Sequence, residues 1–422
     1  MVSIIFRCLV FFLLSSLIAQ VNSQICQGVS QYGRCSSNSA CGCLHMEGAS
    51  DIGICGFQWV TCSDLAPCEG ADNYCRQSDH ICVHHPRCHV RPLCFSVSMM
   101  DAKLCPPIKA FVPLQASAVE IHPNAQWQQS AITVAEGYLL PNGTNATDRL
   151  YFPMGVFVND EQTVYVTDPN NNRVMKYVLG STSGQVVAGG NGRGNEAHQL
   201  AGPSDVIVDK ETNSLIICDN VNKRVIRWPR VNRIRGETII SSVSCHGLTM
   251  DENGSLYVVG YGTDEVRRYR KGESQGTVVA GGNGRENRLD QLHWPQYVFV
   301  DRDRSVYISE WYNHRVTKWV EGAKQGIVVA GGNEQGKSLN QLASPEEVVV
   351  DQSGTIYVAD SINHRVVRWV KGATQGTVIA GGNGQGKVSN QFSHPYGLAF
   401  DRYGNLYVVD HWNHRVQKLS IV

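Results

Sequence analysis

Five acid–arginine pairs, Asp168/Arg173, Asp219/Arg224, Glu310/Arg315, Asp360/Arg365 and Asp410/Arg415, each hold two charges five residues apart. Such a pair can serve acid–base catalysis or lock a turn as a bidentate ion pair, a geometry the guanidinium favours. At one equivalent place stand Gly260 and Glu265, so both partners vanish together. Concerted loss points to structural ion pairs. His314, His364 and His414 also sit at equivalent places and invite a zinc triad. Zinc ligands must converge to about 2 Å from one ion, whereas turns on separate repeats diverge, so these histidines are read as turn-packing residues. Gly331–Ser338 spells Gly-Gly-Asn-Glu-Gln-Gly-Lys-Ser, the letters of a phosphate-binding loop. That chemistry needs a helix directly after the loop, and Pro345 arrives instead at the head of a strand-like run.

The elements that position these residues are repeats. Val306–Val316, Ile356–Val366 and Leu406–Val416 align residue for residue around Asn-His-Arg-Val. Glu310, Asp360 and Asp410 lie 50 apart, and Gly260, Asp219 and Asp168 continue the register at intervals of 50, 41 and 51, making six units. The fifth unit shows four β-type runs, Glu347–Val350, Ile356–Ala359, Val366–Val370 and Thr377–Ala380, separated by turn residues. Four strands in roughly 40–50 residues is the signature of a propeller blade. The expected fold is all-β, a six-bladed β-propeller over 126–422. The sixth unit has three runs before Val422, and Ile132–Gly137 upstream repeats the pattern of the fourth. An N-terminal strand is therefore expected to close the ring.

A ligand site is expected where the units differ. Each inner strand starts at Pro-x-Gly or its equivalent. The varied positions read Met154, Ser204, His246, Gln296, Glu346 and Tyr396, then Gly155, Asp205, Gly247, Tyr297, Glu347 and Gly397. A polar pocket at the channel mouth is expected from Ser204, Asp205, His246, Gln296, Tyr297, Glu346, Glu347 and Tyr396. Alanine at Asp205, Tyr297 and Glu347 together is expected to abolish capture without a thermal cost. The third unit lacks the long glycine loop. Cys245 stands there in the proline position, and Cys218 ends the neighbouring second strand. Both fall on one side of adjacent blades and could be bridged if their Cα atoms approach within about 7 Å. The run Lys223–Arg235 carries six cations in 13 residues, a patch suited to sulfated glycan unless structure claims its charges.

The units Tyr-Val-Ala-Asp-x-x-Asn-His-Arg-Val, preceded by Pro-x-Gly-Val-x-Val-Asp, resemble those of the NHL-repeat β-propellers, over about 300 residues. The resemblance implies the fold and leaves function open, because that family includes RNA-binding propellers on ubiquitin ligases, extracellular sensor domains and a zinc-dependent peptide-amidating lyase. A ligase would need a zinc RING. RNA binding would want a basic propeller, and residues 126–422 carry 30 Lys+Arg against 29 Asp+Glu. Resemblance to the amidating lyase would make His246, Tyr297 and Glu346 candidates in a channel with a metal. No catalytic motif at family-specific spacing supports an enzyme, and no catalytic or metal-ligating residue is assigned. A binding scaffold for an extracellular protein, peptide or glycan is the preferred reading; a metal-dependent lyase or hydrolase is the alternative. No cofactor is predicted, with zinc or calcium in the channel left open.

Compartment follows from the first 105 residues. In 1–23, Arg7 precedes an apolar run from Cys8 to Ala19 and a small-residue exit, the pattern of a secretory signal peptide. Twelve cysteines follow at 26, 35, 41, 43, 55, 62, 68, 75, 82, 88, 94 and 105, with no Cys-x-x-Cys among them. In an oxidising route that spacing reads as a disulfide module over 24–105 rather than a zinc site, its pairing undetermined (Cys26, Cys35, Cys41, Cys43, Cys55, Cys62, Cys68, Cys75, Cys82, Cys88, Cys94, Cys105). Residues 106–125 read as a linker. Asn142, Asn145 and Asn253 are glycosylation acceptors. A zero formal charge offers no field for nucleic acid, and no run is long enough to span a membrane as a helix. The expected product is a secreted monomer.

Overall fold

The computed structural model describes residues 25–27, 40–45, 52–57, 60–69, 74–77, 79–100, 105, 119–122, 124–137, 149–178, 180–181, 183–231 and 234–422. The signal segment 1–23, Cys35, linker residues 106–118, Arg233 and the acceptors Asn142 and Asn145 lie outside them. The chain divides into two units, Met1–Phe111 and Val112–Val422.

In the first unit, Ile52–Phe57 pairs antiparallel with both Ile25–Gln27 and Cys41–His45, and His80–Val83 forms a hairpin with Leu93–Ser96. Its apolar cluster is small: Leu44, Ile54, Leu65, Val83, Leu93 and Phe95. Cross-links supplement so small a core. The bonds are Cys26–Cys43, Cys41–Cys105, Cys62–Cys88, Cys68–Cys82 and Cys75–Cys94, and Cys55 is also disulfide-bonded.

The second unit is a six-bladed propeller of four-stranded antiparallel sheets. Inner strands are Val156–Val158, Pro203–Asp209, Cys245–Met250, Pro295–Val300, Pro345–Val350 and Pro395–Phe400, and each touches its neighbours around the ring. These inner strands and the second strands beside them are almost wholly buried. Faced on both sides by other blades, they read as continuous β-branched runs rather than alternating ones. Polar residues return in the turns. In Asp251–Ser255 the Asp251 carboxylate accepts from the Asn253 and Ser255 amides, and Gly254 takes φ +77°.

Closure occurs as expected. Ile132–Glu136 pairs with Arg415–Leu419 as the outer strand of blade 6, in the register Arg415↔Glu136 and Lys418↔Ile132. The segment before it, 119–125, departs from the expected linker. Val119, Ile121 and Ala125 are buried against blades 5 and 6, and the Val119 carbonyl accepts from the Gln352 amide. Apolar side chains at these positions gain more by packing than a solvated linker would.

Cys218 and Cys245 are bonded, with Cα atoms 5.2 Å apart, tying blade 2 to blade 3 where blade 3 lacks its entry loop. Closing a loop of 27 residues stabilises a fold by about 3–4 kcal/mol in the chain-entropy account. Replacing both cysteines by serine should lower the urea midpoint correspondingly. An unchanged midpoint would show that the bond bears no load.

Candidate functional site

All five acid–arginine pairs form. Arg173, Arg224, Arg315, Arg365 and Arg415 bring Nε to 2.8, 2.7, 2.8, 2.7 and 2.7 Å from their acids, all of which are inaccessible to solvent. Burial pushes the Asp168, Glu310, Asp360 and Asp410 carboxyls above the ordinary range, and their asparagine and arginine contacts oppose that rise. The arginines also have a second set of partners. Arg365 donates through its terminal nitrogens to the Lys337, Ser338 and Gln341 carbonyls, and Asn363 joins Asp360 to the Gly336 carbonyl. Arg224, Arg315 and Arg415 grip the corresponding carbonyls of their own loops. Each therefore clamps the glycine loop that leads into its blade. Gly331–Ser338 belongs to such a loop, offering carbonyls to an arginine where a phosphate site would offer amides. Blade 3 has no entry loop, so nothing there needs clamping, and Glu265 pairs instead with Arg267.

The recurring histidines bind across blade boundaries. Nδ1 of His314, His364 and His414 accepts the amides of Ser344, His394 and Phe152, at 3.1, 3.2 and 3.1 Å. Asn172 and Asp264 do the same for Gly202 and Trp294 through a side-chain oxygen. All five acceptors are left-handed, with φ between 49° and 56°, a conformation that Asn and Asp adopt at low cost. Burial holds the three histidines below their ordinary pKa. They stay neutral in the fold while the unfolded chain takes up protons below about pH 6.5, so their stabilisation is complete above that pH and is lost as pH falls toward the folded values. His364→Asn should therefore keep the stability at pH 8 and reduce its loss on acidification. His364→Ala should cost about 2 kcal/mol from the lost acceptor and the left-handed backbone. Denaturation curves at pH 8 and pH 5 check both; equal behaviour of the Asn and Ala variants would refute the role.

The channel positions divide into two sets. Asp205, Tyr297 and Glu347 point into a centre too narrow for six side chains. A Cβ on Gly155 would lie 2.5 Å from Asp205 Oδ1, and one on Gly247 2.7 Å from the Gln296 carbonyl oxygen. Asp205 accepts the Val206 and Leu248 amides, and Glu347 accepts the Leu398 amide, so each acid stitches one inner strand to the next. Burial raises Asp205 to about 7 and Glu347 well above its usual range, the latter reinforced by Asp205. Alanine at all three would strip these amides of acceptors and lower the melting temperature, contrary to the expectation from sequence.

Ser204, His246, Gln296 and Glu346 are also buried, and Tyr396 is half-buried. Ser204 donates to the Cys245 carbonyl. His246 Nδ1 lies 3.2 Å from the Gln296 carbonyl, and burial lowers its pKa to about 4. No three donor atoms of the channel's His, Asp and Glu side chains lie within 4.8 Å of one another; among the described residues the one such group is Cys68, Cys75 and Cys82, all disulfide-bonded. Seven of the eight expected pocket residues are thus buried, and Tyr396 is partly exposed.

Around the mouth stands a feature absent from the sequence reading, an aromatic rim. Tyr261, Trp294, Trp311 and Tyr312 form one side, with Tyr261–Trp294, Trp294–Tyr312 and Trp311–Tyr312 centroids at 5.0, 4.8 and 4.7 Å. On the other side Tyr396 stacks on His411 at 4.2 Å, Phe152 lies 5.2 Å from His411, and His394 stacks on Trp412 at 4.6 Å. Tyr151, Tyr312 and Trp412 are 37%, 45% and 53% exposed. Apart from Tyr396, which follows the repeat proline and was already among the expected pocket residues, these residues lie within two positions after the repeat acid (Gly260 in blade 3) or before the repeat proline, so comparing those columns of the repeat would have revealed them. Beside the rim, where blade 3 lacks its loop, a cavity of about 590 Å³ opens between Lys223, Ser242–Ser244 and Glu265.

The NHL repeat family matches residues 342–369 and 392–419, which span the inner three strands of blades 5 and 6. Blades 5 and 6 carry NHL repeats. No curated protein matches this sequence. Solved structures similar to this chain include an auxiliary nutrient binding protein from Bacteroides thetaiotaomicron (15% identity, TM-score 0.55, 70% of this chain and 77% of that one). Another, from Bacteroides ovatus, has 13% identity and a TM-score of 0.53 over 95% and 91% of the chains. A gluconolactonase from Xanthomonas campestris has 11% identity and a TM-score of 0.50 over 75% and 99%. At these identities the likeness is one of fold.

Proposed function

We propose that the protein is a secreted binding scaffold whose aromatic rim takes up an extracellular protein, peptide or glycan, with the disulfide-rich unit as a second contact surface. The observation that carries this reading is the distribution of roles. The recurring acids, arginines, asparagines and histidines are committed to loops and blade boundaries, while Tyr151, Tyr312 and Trp412 expose large rings at the mouth. Aromatic faces beside a few fixed polar groups are the usual make-up of a recognition site. Two similar folds belong to proteins named for nutrient binding. The disulfides in both units suit an oxidising compartment, the signal-like segment 1–23 agrees with it, and Asn253 is exposed in its turn for glycosylation. No described helix is long and apolar enough to cross a membrane, and the reading is of a monomer without cofactor. In the basic run, Arg224 is committed to Asp219, and Arg230 to Tyr165 and Asn213, which weakens a glycan-charge reading there.

Screening the purified protein on glycan and peptide arrays, beside a Tyr151→Ala/Tyr312→Ala/Trp412→Ala variant, tests the proposal. Capture should fall at least about tenfold in the variant, with little change in melting temperature because all three rings are exposed. Equal capture by both proteins would remove the rim from the reading.

A further inference from the structure

The recurring acids of the scaffold, Asp168, Asp219, Glu310, Asp360 and Asp410, each face an arginine, and the channel acids Asp205 and Glu347 accept backbone amides. Glu346 differs. It is 1% exposed, it has no cation beside it among the described residues, and its Oε2 has no hydrogen-bond partner. A buried carboxyl oxygen without a hydrogen bond, on a group with no cation beside it, is costly, so its retention needs a reason. Its surroundings are aromatic and come from three neighbouring blades. The Trp311 and Tyr396 side chains provide the donors that face it, and Tyr261 and Tyr297 lie close enough to feel its charge. The Tyr297 hydroxyl is itself buried and unpartnered. Tyr261, Trp311 and Tyr396 are partly exposed, and Tyr261 continues into Trp294 and Tyr312.

We propose that the Glu346 carboxyl and the rings of Tyr261, Trp311 and Tyr396 bind an organic ammonium group, the rings facing the cation and Glu346 supplying its counter-charge. Aromatic rings around a carboxylate meet the two needs of such a ligand: a polarisable wall for its alkyl surface and one buried anion for its charge. Burial holds Glu346 well above the ordinary carboxyl range when the site is empty; a bound cation would favour the ionised form. The inference rests on the binding reading above and narrows it to a ligand class. Lysine side chains of a peptide and choline-type head groups both carry this chemistry.

Calorimetric titration of the full chain with three probes tests it: n-butylammonium in place of a lysine side chain, choline in place of a head group, and 3,3-dimethyl-1-butanol as the uncharged analogue of choline. At least one cation should bind about tenfold or more tighter than the alcohol, and the better cation identifies the source. Glu346→Gln should remove that preference while the melting temperature is maintained. Should that variant fail to fold, Tyr261→Leu on the partly exposed rim is expected to weaken cation binding instead. Equal binding of cation and alcohol, no binding at millimolar cation, or a preference undiminished by either folded variant would overturn the proposal. If array capture persists while cation preference is absent, the ammonium site alone fails. Loss of both would sink the binding reading as well.

Discussion

Arg365→Ala is expected to destabilise the propeller by about 3–5 kcal/mol and to expose the loop between blades 4 and 5 to protease. The substitution removes two functions of one side chain. Asp360, inaccessible to solvent, loses the guanidinium 2.7 Å away, and a buried carboxyl stripped of its cation must be protonated or be solvated by rearrangement. The carbonyls of Lys337, Ser338 and Gln341 lose their shared donor at the same time. Lysine at 365 would return the charge but not the fork, so an intermediate loss is expected, with the loop still open to cleavage. Urea unfolding and limited proteolysis read the two effects separately. Wild-type stability with an uncut loop would show that the clamp holds nothing.

Deleting residues 119–137 is expected to abolish cooperative folding. The strand Ile132–Glu136 completes blade 6 through four paired positions, and without it Arg415–Leu419 becomes an open edge able to pair with other chains. The same deletion empties part of the core. Trp127 is 3% exposed, donates Nε1–H to the Gly404 carbonyl, and packs its ring 6.0 Å from Tyr357 and 6.1 Å from Phe400. Losing one such residue alone costs about 3–5 kcal/mol, against a total stability of about 5–15 kcal/mol. Near-ultraviolet dichroism and size exclusion should show loss of fixed packing and association. A monomer melting at the wild-type temperature would show that the ring closes without this strand.

How much of the site was legible follows from which interactions are local. The acid and arginine five residues apart face each other across one turn, so their pairing could be read from spacing, and their joint absence at Gly260 and Glu265 identified them as structural. The loop that each arginine also holds lies 24 to 29 residues earlier in the chain, as for Arg365 and Gln341 or Arg224 and Asn195, and no local pattern announces it. The histidines show the same limit. Recurrence marked His314, His364 and His414 as equivalent, but their partners lie on the next blade, and for His414 that partner is Phe152 across the closure of the ring.

The number of blades and the closing strand were legible in the sequence, because a repeat carries its strand pattern and register wherever the chain goes; Cys218 and Cys245 were placed on adjacent blades, and the Cα separation of 5.2 Å that permits their bond came from the folded ring. The sequence also located the channel residues by their variation. Which of them bond to backbone and which do not depends on how the six blades pack. Packing six inner strands around one axis leaves room for few side chains, so Asp205 and Glu347 became stitches between strands while Glu346, one residue earlier than Glu347, kept an oxygen without a partner. The aromatic rim arises in the same way: its rings come from turns up to 260 residues apart, as Phe152 and Trp412 do, and ring closure alone brings them to 6.3 Å.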